Sequence, residues 1–216
     1  MWRVVAIGLL ALGSLRAPAG AEHGPAFPEV ECPTETAQVV LDPGHGGADP
    51  GAVYETYGLL EKALTLEVAE RTADILQTEY GYRVALTRQD NATDLGNSER
   101  GEIANACGAT VFVSIHLNAA LDRTADYTQT FWAEKEKDLA FSLVMNEALG
   151  ALAIPRSAVD RFDNGGLLRA KMPSVLVEAV FVSHTNEAKD LANGTRQEGI
   201  AQAIATGVTT WMRLGE

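Results

Sequence analysis

The strongest constraint on this chain is a set of short apolar runs that stop on polar, chemistry-bearing residues. "VVLDPGHGG" leads into His45, "VFVSIHLNA" contains His116, and "PSVLVEAVF" ends on Glu178 and its neighbours. Runs this short and this apolar, bounded by Pro, Gly and Asp, read as strands covered on both faces. Between the first two lies a helical stretch, 60–80, in which Leu64, Val68, Ala69, Thr72, Ile75 and Leu76 recur at helical spacing before Gly81 stops it. The pattern predicts strands at 37–42, 82–88 and 110–116 and a helix at 97–107. A weakly alternating strand at 127–133 precedes a long helix at 134–152, whose apolar stripe falls on Leu139, Leu143, Val144 and Leu149. A Gly- and Asp-containing loop with room for a short strand follows at 155–171, then a central strand at 174–181 and two closing helices. Strands that alternate with amphipathic helices make an α/β fold: one three-layer α/β/α domain, with a mostly parallel or mixed twisted sheet of about six strands.

With 216 residues, 46% of them hydrophobic, the chain suits one such domain with a substantial core. The expected organisation is a signal peptide at 1–21, an irregular tail at 22–36 and the catalytic domain at 37–216. Arg3 precedes "VVAIGLLALGSL", and Ala19, Gly20 and Ala21 supply the small residues of a cleavage site. That apolar run is too short to span about 30 Å of hydrocarbon, so no stable membrane insertion is expected after its removal. The expected location is exported, either periplasmic or extracellular. The formal charge is −12, and loss of Arg3 and Arg16 makes the balance more acidic. Such a surface does not suit nucleic acid, which requires cations to displace its counterions. Cys32 and Cys107 are the only cysteines. In an oxidising compartment they are expected to form a disulfide that pins the tail, and no CxxC or Cys–His cluster makes either a zinc ligand.

Two imidazoles and two carboxylates at strand ends are the residue types of a hydrolytic zinc centre. His45 lies in a glycine-rich turn after the first strand, where open α/β sheets place their sites. His116 ends the third strand, on the face shared with Phe112 and Ser114. Glu61 opens the first helix and can present its carboxylate toward the strand ends, with Glu55, Glu67 and Glu70 as competitors and the last two expected to face solvent. Glu178 follows a fully apolar run, where a carboxylate is costly unless paired or functional. It reads as a catalytic base, a ligand, or a partner for Arg169. His184 borders the expected cleft and is an alternative third ligand, Asn118 lies just past His116, and His23 sits in the tail. There is no GxSxG elbow and no HExxH, GxGxxG or Walker A spacing.

These segments resemble the zinc-dependent N-acetylmuramoyl-L-alanine amidases of the cell-wall hydrolase type. The resemblance covers nearly all of 37–212 and rests on "LDPGHGGADPGA", "EKALTLEVA", "SIHLNA" and "PSVLVEAVFVSHTNEAKDL", in that order. It implies one Zn2+ per chain, held by His45, Glu61 and His116, with Glu178 essential for catalysis. Arg88, Arg100 and Leu168–Arg169 also fall in segments similar to the family's. The chain departs from the pattern at Ala179 or Val180, where a glycine is usual, and at His184, where an asparagine is usual. The stretch after His116 lacks the usual glycine–glutamate pairing. Some exported relatives insert a long helix there that covers the zinc. Here the one long helix between His116 and Glu178 is required by the fold, so an open site is expected.

What the resemblance implies about activity is hydrolysis of the amide joining N-acetylmuramic acid to L-alanine in peptidoglycan. Glu178 would move the proton, and Arg169 or a loop amide would help hold the oxyanion. Peptidoglycan or muropeptides are then the expected partners. A zinc amidase or peptidase acting on soluble muropeptides or other peptides is the alternative, and a non-catalytic wall-binding domain is the remaining one.

Overall fold

The computed structural model describes residues 31–215, so the signal-peptide reading of 1–21 and most of the 22–36 tail lie outside the described residues. In chain order the elements are β1 (Val39–Pro43), β2 (Val53–Tyr54), β3 (Leu59–Leu60), α1 (Glu61–Thr78), β4 (Val84–Leu86), α2 (Asn97–Ala106) and β5 (Val111–Asn118). They continue with β6 (Thr128–Trp132), α3 (Lys135–Leu149), β7 (Arg156–Arg161), α4 (Gly165–Arg169), β8 (Ser174–Phe181), α5 (Thr185–Ala192) and α6 (Thr195–Leu214). Six strands form one sheet in the order β4-β1-β5-β8-β6-β7, and β2 and β3 pair as a separate small hairpin. β4, β1, β5 and β8 are parallel, β6 runs antiparallel to β8, and β7 runs parallel to β6. This is the mixed six-strand sheet that the alternating pattern predicts.

Strand alternation divides the core in two. Val39, Leu41, Val113, Ile115, Val175 and Val177 turn to one face and pack with Leu76, Phe141, Met145, Ile204 and Val208 of α1, α3 and α6. Val40, Phe112 and Leu176 turn to the other, under Ile103, Ala104 and Leu167 of α2 and α4. The first cluster is much the larger, because its helices are long. On the second face α2 has 10 residues and α4 only 5. At a rise of about 1.5 Å per residue these cannot run the length of the strands they cover, so the carboxyl-terminal half of that face carries polar side chains instead: Asp42, Ser114, His116 and Glu178.

Two expectations are corrected. The buried stripe of α3 is Phe141, Met145 and Leu149, with Asp138 and Ser142; Leu143 is exposed and Leu139 and Val144 are only half-buried. Asp138 sets this rotation, because its carboxylate accepts from the backbone N–H of Glu134 and of Ser174 and anchors the helix start to β8. The 155–171 stretch is not mainly loop. It forms the edge strand β7 and the single-turn α4, whose start is capped by the Asn164 side chain accepting from Gly166 and Leu167 N–H.

Cys32 and Cys107 are joined in a disulfide across 75 positions of sequence. The bridge ties the incoming chain to the foot of β5, at the end of the sheet away from His116. Among the described residues, no helix is long and apolar enough to cross a membrane. A bridge that closes a loop of this length is worth about 2–4 kcal/mol. Cys32→Ser should therefore lower the denaturant midpoint of unfolding, measured by circular dichroism, while the spectrum of the folded protein stays the same.

Candidate metal centre

The site begins where β1 ends. After Asp42 and Pro43 the chain turns through Gly44, and His45 takes a left-handed backbone with φ of 63°. That conformation is uncommon for a residue with a side chain and persists only where surroundings impose it. Here two buried guanidinium groups impose it. Arg100 donates to the carbonyl oxygens of Pro43 and His45, each at 2.8 Å. Arg88 donates to those of Pro43 at 3.0 Å and Gly44 at 2.8 Å. Arg100 is itself fixed by Asp42, 2.8 Å away, and Asp42 also accepts from Thr87 and Ser114. Burial, with the nearby charge of Arg100, draws the Arg88 pKa down to about 10, which still leaves it charged at neutral pH. Gly44 is required because a Cβ there would overlap the His116 ring, and Gly51 because a Cβ would lie 2.6 Å from the His45 ring and 2.7 Å from Glu61.

Three elements then meet. His45 comes from the turn after β1, Glu61 from the first turn of α1, and His116 from β5. His45 Nε2 and His116 Nδ1 lie 3.1 Å apart. Glu61 Oε1 is 2.9 Å from the first and 3.2 Å from the second. The Glu61 carboxylate is oriented by backbone amides, with Ala52 N–H donating to Oε2 at 2.8 Å and Leu117 N–H donating to Oε1 at 3.0 Å. On the far side of His45, Nδ1 meets Asp49 Oδ2 at 2.7 Å, which directs Nε2 toward Glu61. Burial by itself would raise the Glu61 carboxyl, but the two imidazoles outweigh it and hold the group well below the usual carboxylate range. Burial would likewise lower His45, but Glu61 and Asp49 carry it up to about 9.

Lone pairs of two nitrogens and one carboxylate oxygen that converge this closely fit either shared protons or one cation. His₂Glu is a donor set of catalytic zinc centres, which keep a fourth position for water or substrate. The donor atoms of His45, Glu61 and His116 lie within 4.8 Å of one another, close enough to hold one metal ion.

Glu178 of β8 pairs in register with His116 of β5, so its side chain points to the same face of the sheet. Its Oε2 is buried and has no hydrogen-bond partner, and burial pushes its pKa up to about 7. All four residues line one cleft of about 390 Å3, together with Asn118, Asp94, Asn97, Phe162 and Asn164.

Several candidates from the sequence stand elsewhere. Arg169 does not reach this cleft. Its guanidinium lies 2.6 Å from Glu102, because α4 packs against α2, so it is neither a partner of Glu178 nor placed to steady an oxyanion. His184 is also turned away, into a group with Asp126 and Glu187. Glu67 is half-buried against Arg71 and Gln197 rather than facing solvent; Glu55 and Glu70 are exposed and do not line the cleft. Sequence reasoning passed over Asp42 and Asp49, and placed Arg88 and Arg100 only in family-like segments; these four frame the His45 turn. The available signal was Asp42 and Arg88 at the ends of two apolar strand segments.

Comparison with known proteins gives a consistent result. A family model described as N-acetylmuramoyl-L-alanine amidase matches residues 39–210. An uncharacterized protein of Bacillus subtilis, YqiI, is 32% identical and aligns over 98% of this chain and 97% of its own. The N-acetylmuramoyl-L-alanine amidase CwlM of Bacillus licheniformis is 32% identical over 83% of this chain and 70% of its own. Among solved structures, the catalytic domain of the amidase CwlV from Bacillus (Paenibacillus) polymyxa var. colistinus superposes with a TM-score of 0.76 at 31% identity, covering 81% of this chain and 97% of that one.

Because Gly44 sits against the His116 ring, Gly44→Ala should displace one of the two imidazoles. The expected result is a fall of about 10–100-fold in affinity for a divalent metal, read by chelator competition, with the far-ultraviolet circular dichroism of the folded protein unchanged.

Proposed function

The chain belongs to the N-acetylmuramoyl-L-alanine amidase family, and from that premise we propose how its own residues carry the reaction. As a member of that family the protein is a hydrolase of peptidoglycan, acting on the amide between N-acetylmuramic acid and L-alanine. The observation that carries the site reading is the meeting of His45, Glu61 and His116 beside Glu178 in one cleft.

His45, Glu61 and His116 are the proposed ligands of one zinc ion. Bound there, zinc supplies Lewis acidity, polarising the scissile carbonyl and making water easier to deprotonate. Glu61 contributes the one anionic donor, held in place by two backbone amides. Asp49 keeps His45 in the tautomer that presents Nε2 to the ion. Glu178 is the proposed general base and then acid: it takes a proton from the attacking water and gives it to the amide nitrogen as the C–N bond breaks. Its buried, unpartnered Oε2 suits a group that must be free to accept that proton, and a carboxyl raised toward neutrality is matched to both halves of the transfer. The face of the sheet under the cleft carries no long helix, since α3 packs with α6 on the opposite face. That leaves the site open to a polymer.

Relatives include the N-acetylmuramoyl-L-alanine amidase CwlM and a probable cell wall amidase, LytH of Staphylococcus epidermidis, and the disulfide agrees with an exported enzyme. Residues 1–21 are proposed as its signal peptide, with the catalytic domain beginning near 37. Glu178→Gln should lower the rate of new amino-terminus release from purified sacculi by about 10²–10⁴-fold while keeping its zinc. His45→Ala or Glu61→Ala should lose the metal on dialysis, measured by zinc content. Full turnover by Glu178→Gln would remove that residue as the base.

A further inference from the structure

The cleft continues past Glu178 toward the β7 edge, and the residues there have a different character from those around the histidines. Cross-strand pairing lays them out in two rows. His116, Glu178 and Gln129 stand side by side on β5, β8 and β6. One row further along the sheet come Ser114, Leu176, Phe131 and Asp160. Leu176 and Phe131 make an apolar floor, and the Phe162 ring tilts against Phe131 with centroids 5.6 Å apart. Phe162 is 49% exposed although it lines the same cleft as the catalytic group. Its position is fixed by the strand end, since its N–H donates to Trp132 O at 2.8 Å. Asn97 and Asn164 line the cleft with it, and on the adjoining β6–β7 surface Gln129 donates to Asp160 at 2.8 Å.

A large aromatic face left open in a cleft, beside amides and one carboxylate, fits a ligand with an apolar face and a hydroxylated rim. A pyranose ring is such a ligand. Its axial C–H bonds present an apolar surface to a π-face, and its equatorial hydroxyls and acetamido group exchange hydrogen bonds with Asn, Gln and Asp. A peptide arm fits less well here, because its carboxylates would face Asp160 and Glu178.

We propose that Phe162, with Gln129, Asp160 and Asn164, forms a sugar subsite that holds the glycan side of the substrate. The proposal rests on the amidase reading. It makes Phe162 a residue that positions the polymer by contact with a sugar ring, and not one that takes part in proton transfer.

The test pairs kinetics with binding. On sacculi, Phe162→Ala should raise KM by about 10-fold, the scale of losing one aromatic contact, with most of the fall in kcat/KM residing in KM. Phe162→Trp should recover most of it. Zinc content and circular dichroism should match the unmodified protein. Independently of turnover, the zinc-loaded Glu178→Gln protein should bind glycan strands stripped of their peptides, and adding Phe162→Ala should weaken that binding by a similar factor. The added change should leave binding of the free stem peptide unaltered. The subsite is refuted if the stripped strands bind equally well with and without Phe162, or if the stem-peptide affinity falls instead. If the unmodified zinc protein released no amino termini, the amidase reading would fail, while the glycan-binding comparison would still decide the role of Phe162.

Discussion

The turn that carries His45 is held open by charge buried beneath it. Arg100 and Asp42 form an ion pair at 2.8 Å with side chains 6% and 2% exposed. A pair this deep costs desolvation energy that a simple Coulomb contact does not return, and it is retained where its remaining donors have other partners. Those partners are the carbonyl oxygens of Pro43 and His45, backbone groups that a left-handed residue leaves without a ladder. The same guanidinium thus satisfies the buried carboxylate and fixes the strained turn. Arg88 does the corresponding work on the other side, reaching the carbonyl oxygens of Pro43, Gly44 and Lys62 and so linking the turn to the start of α1. His45 and Glu61 come from different elements, and this shared clamp fixes their separation.

The position of the cleft follows from helix length on one face. Every second residue of β1, β5 and β8 points to the α2/α4 side. Where those short helices cover the sheet the residues are apolar: Val40, Phe112 and Leu176. Beyond the helices the same alternation delivers Asp42, Ser114, His116 and Glu178. One parity supplies both the smaller core and the reactive row, and a one-residue slip of β5 against β8 would send His116 into the α1/α6 core. The β5–β8 register that pairs His116 with Glu178 is therefore set by hydrophobic packing on both sides of the sheet.

This logic explains what was legible in the sequence. Strand and helix positions were readable because apolar runs and helical spacing are local, and His45, His116 and Glu178 were readable because each interrupts or ends such a run. Glu61 was ambiguous among four glutamates, since a position in the first helical turn does not reveal which way the helix points; in the structure the amides of Ala52 and Leu117 hold its carboxylate beside His45 and His116. Arg169 was misplaced because its partner comes from tertiary packing. α2 and α4 approach so closely at Gly101 and Gly166 that Glu102 meets it first. The α3 stripe was misread because a polar residue, Asp138, sets the helix rotation, and hydrophobic periodicity has no weight for a buried carboxylate that is fully bonded.

Charge gives the last link between frame and chemistry. Asp49, Glu61, Asp94 and Glu178 line the cleft, and the only Lys or Arg among the lining residues is Arg100, whose guanidinium is bound to Asp42 and to backbone carbonyls. The cleft is therefore acidic toward any ligand, and Glu61 and Asp49 carry the His45 imidazole up to about 9. A divalent cation held by His45, Glu61 and His116 would put fixed charge where the His45 proton now sits, with one nitrogen of each histidine as a donor. Glu178, one strand away and outside that ligand group, keeps its own proton equilibrium. Segregating three donors around one point, and leaving the fourth carboxyl in a buried pocket of its own, would let one acidic cleft take up a cation and still contain a group whose pKa is raised to about 7.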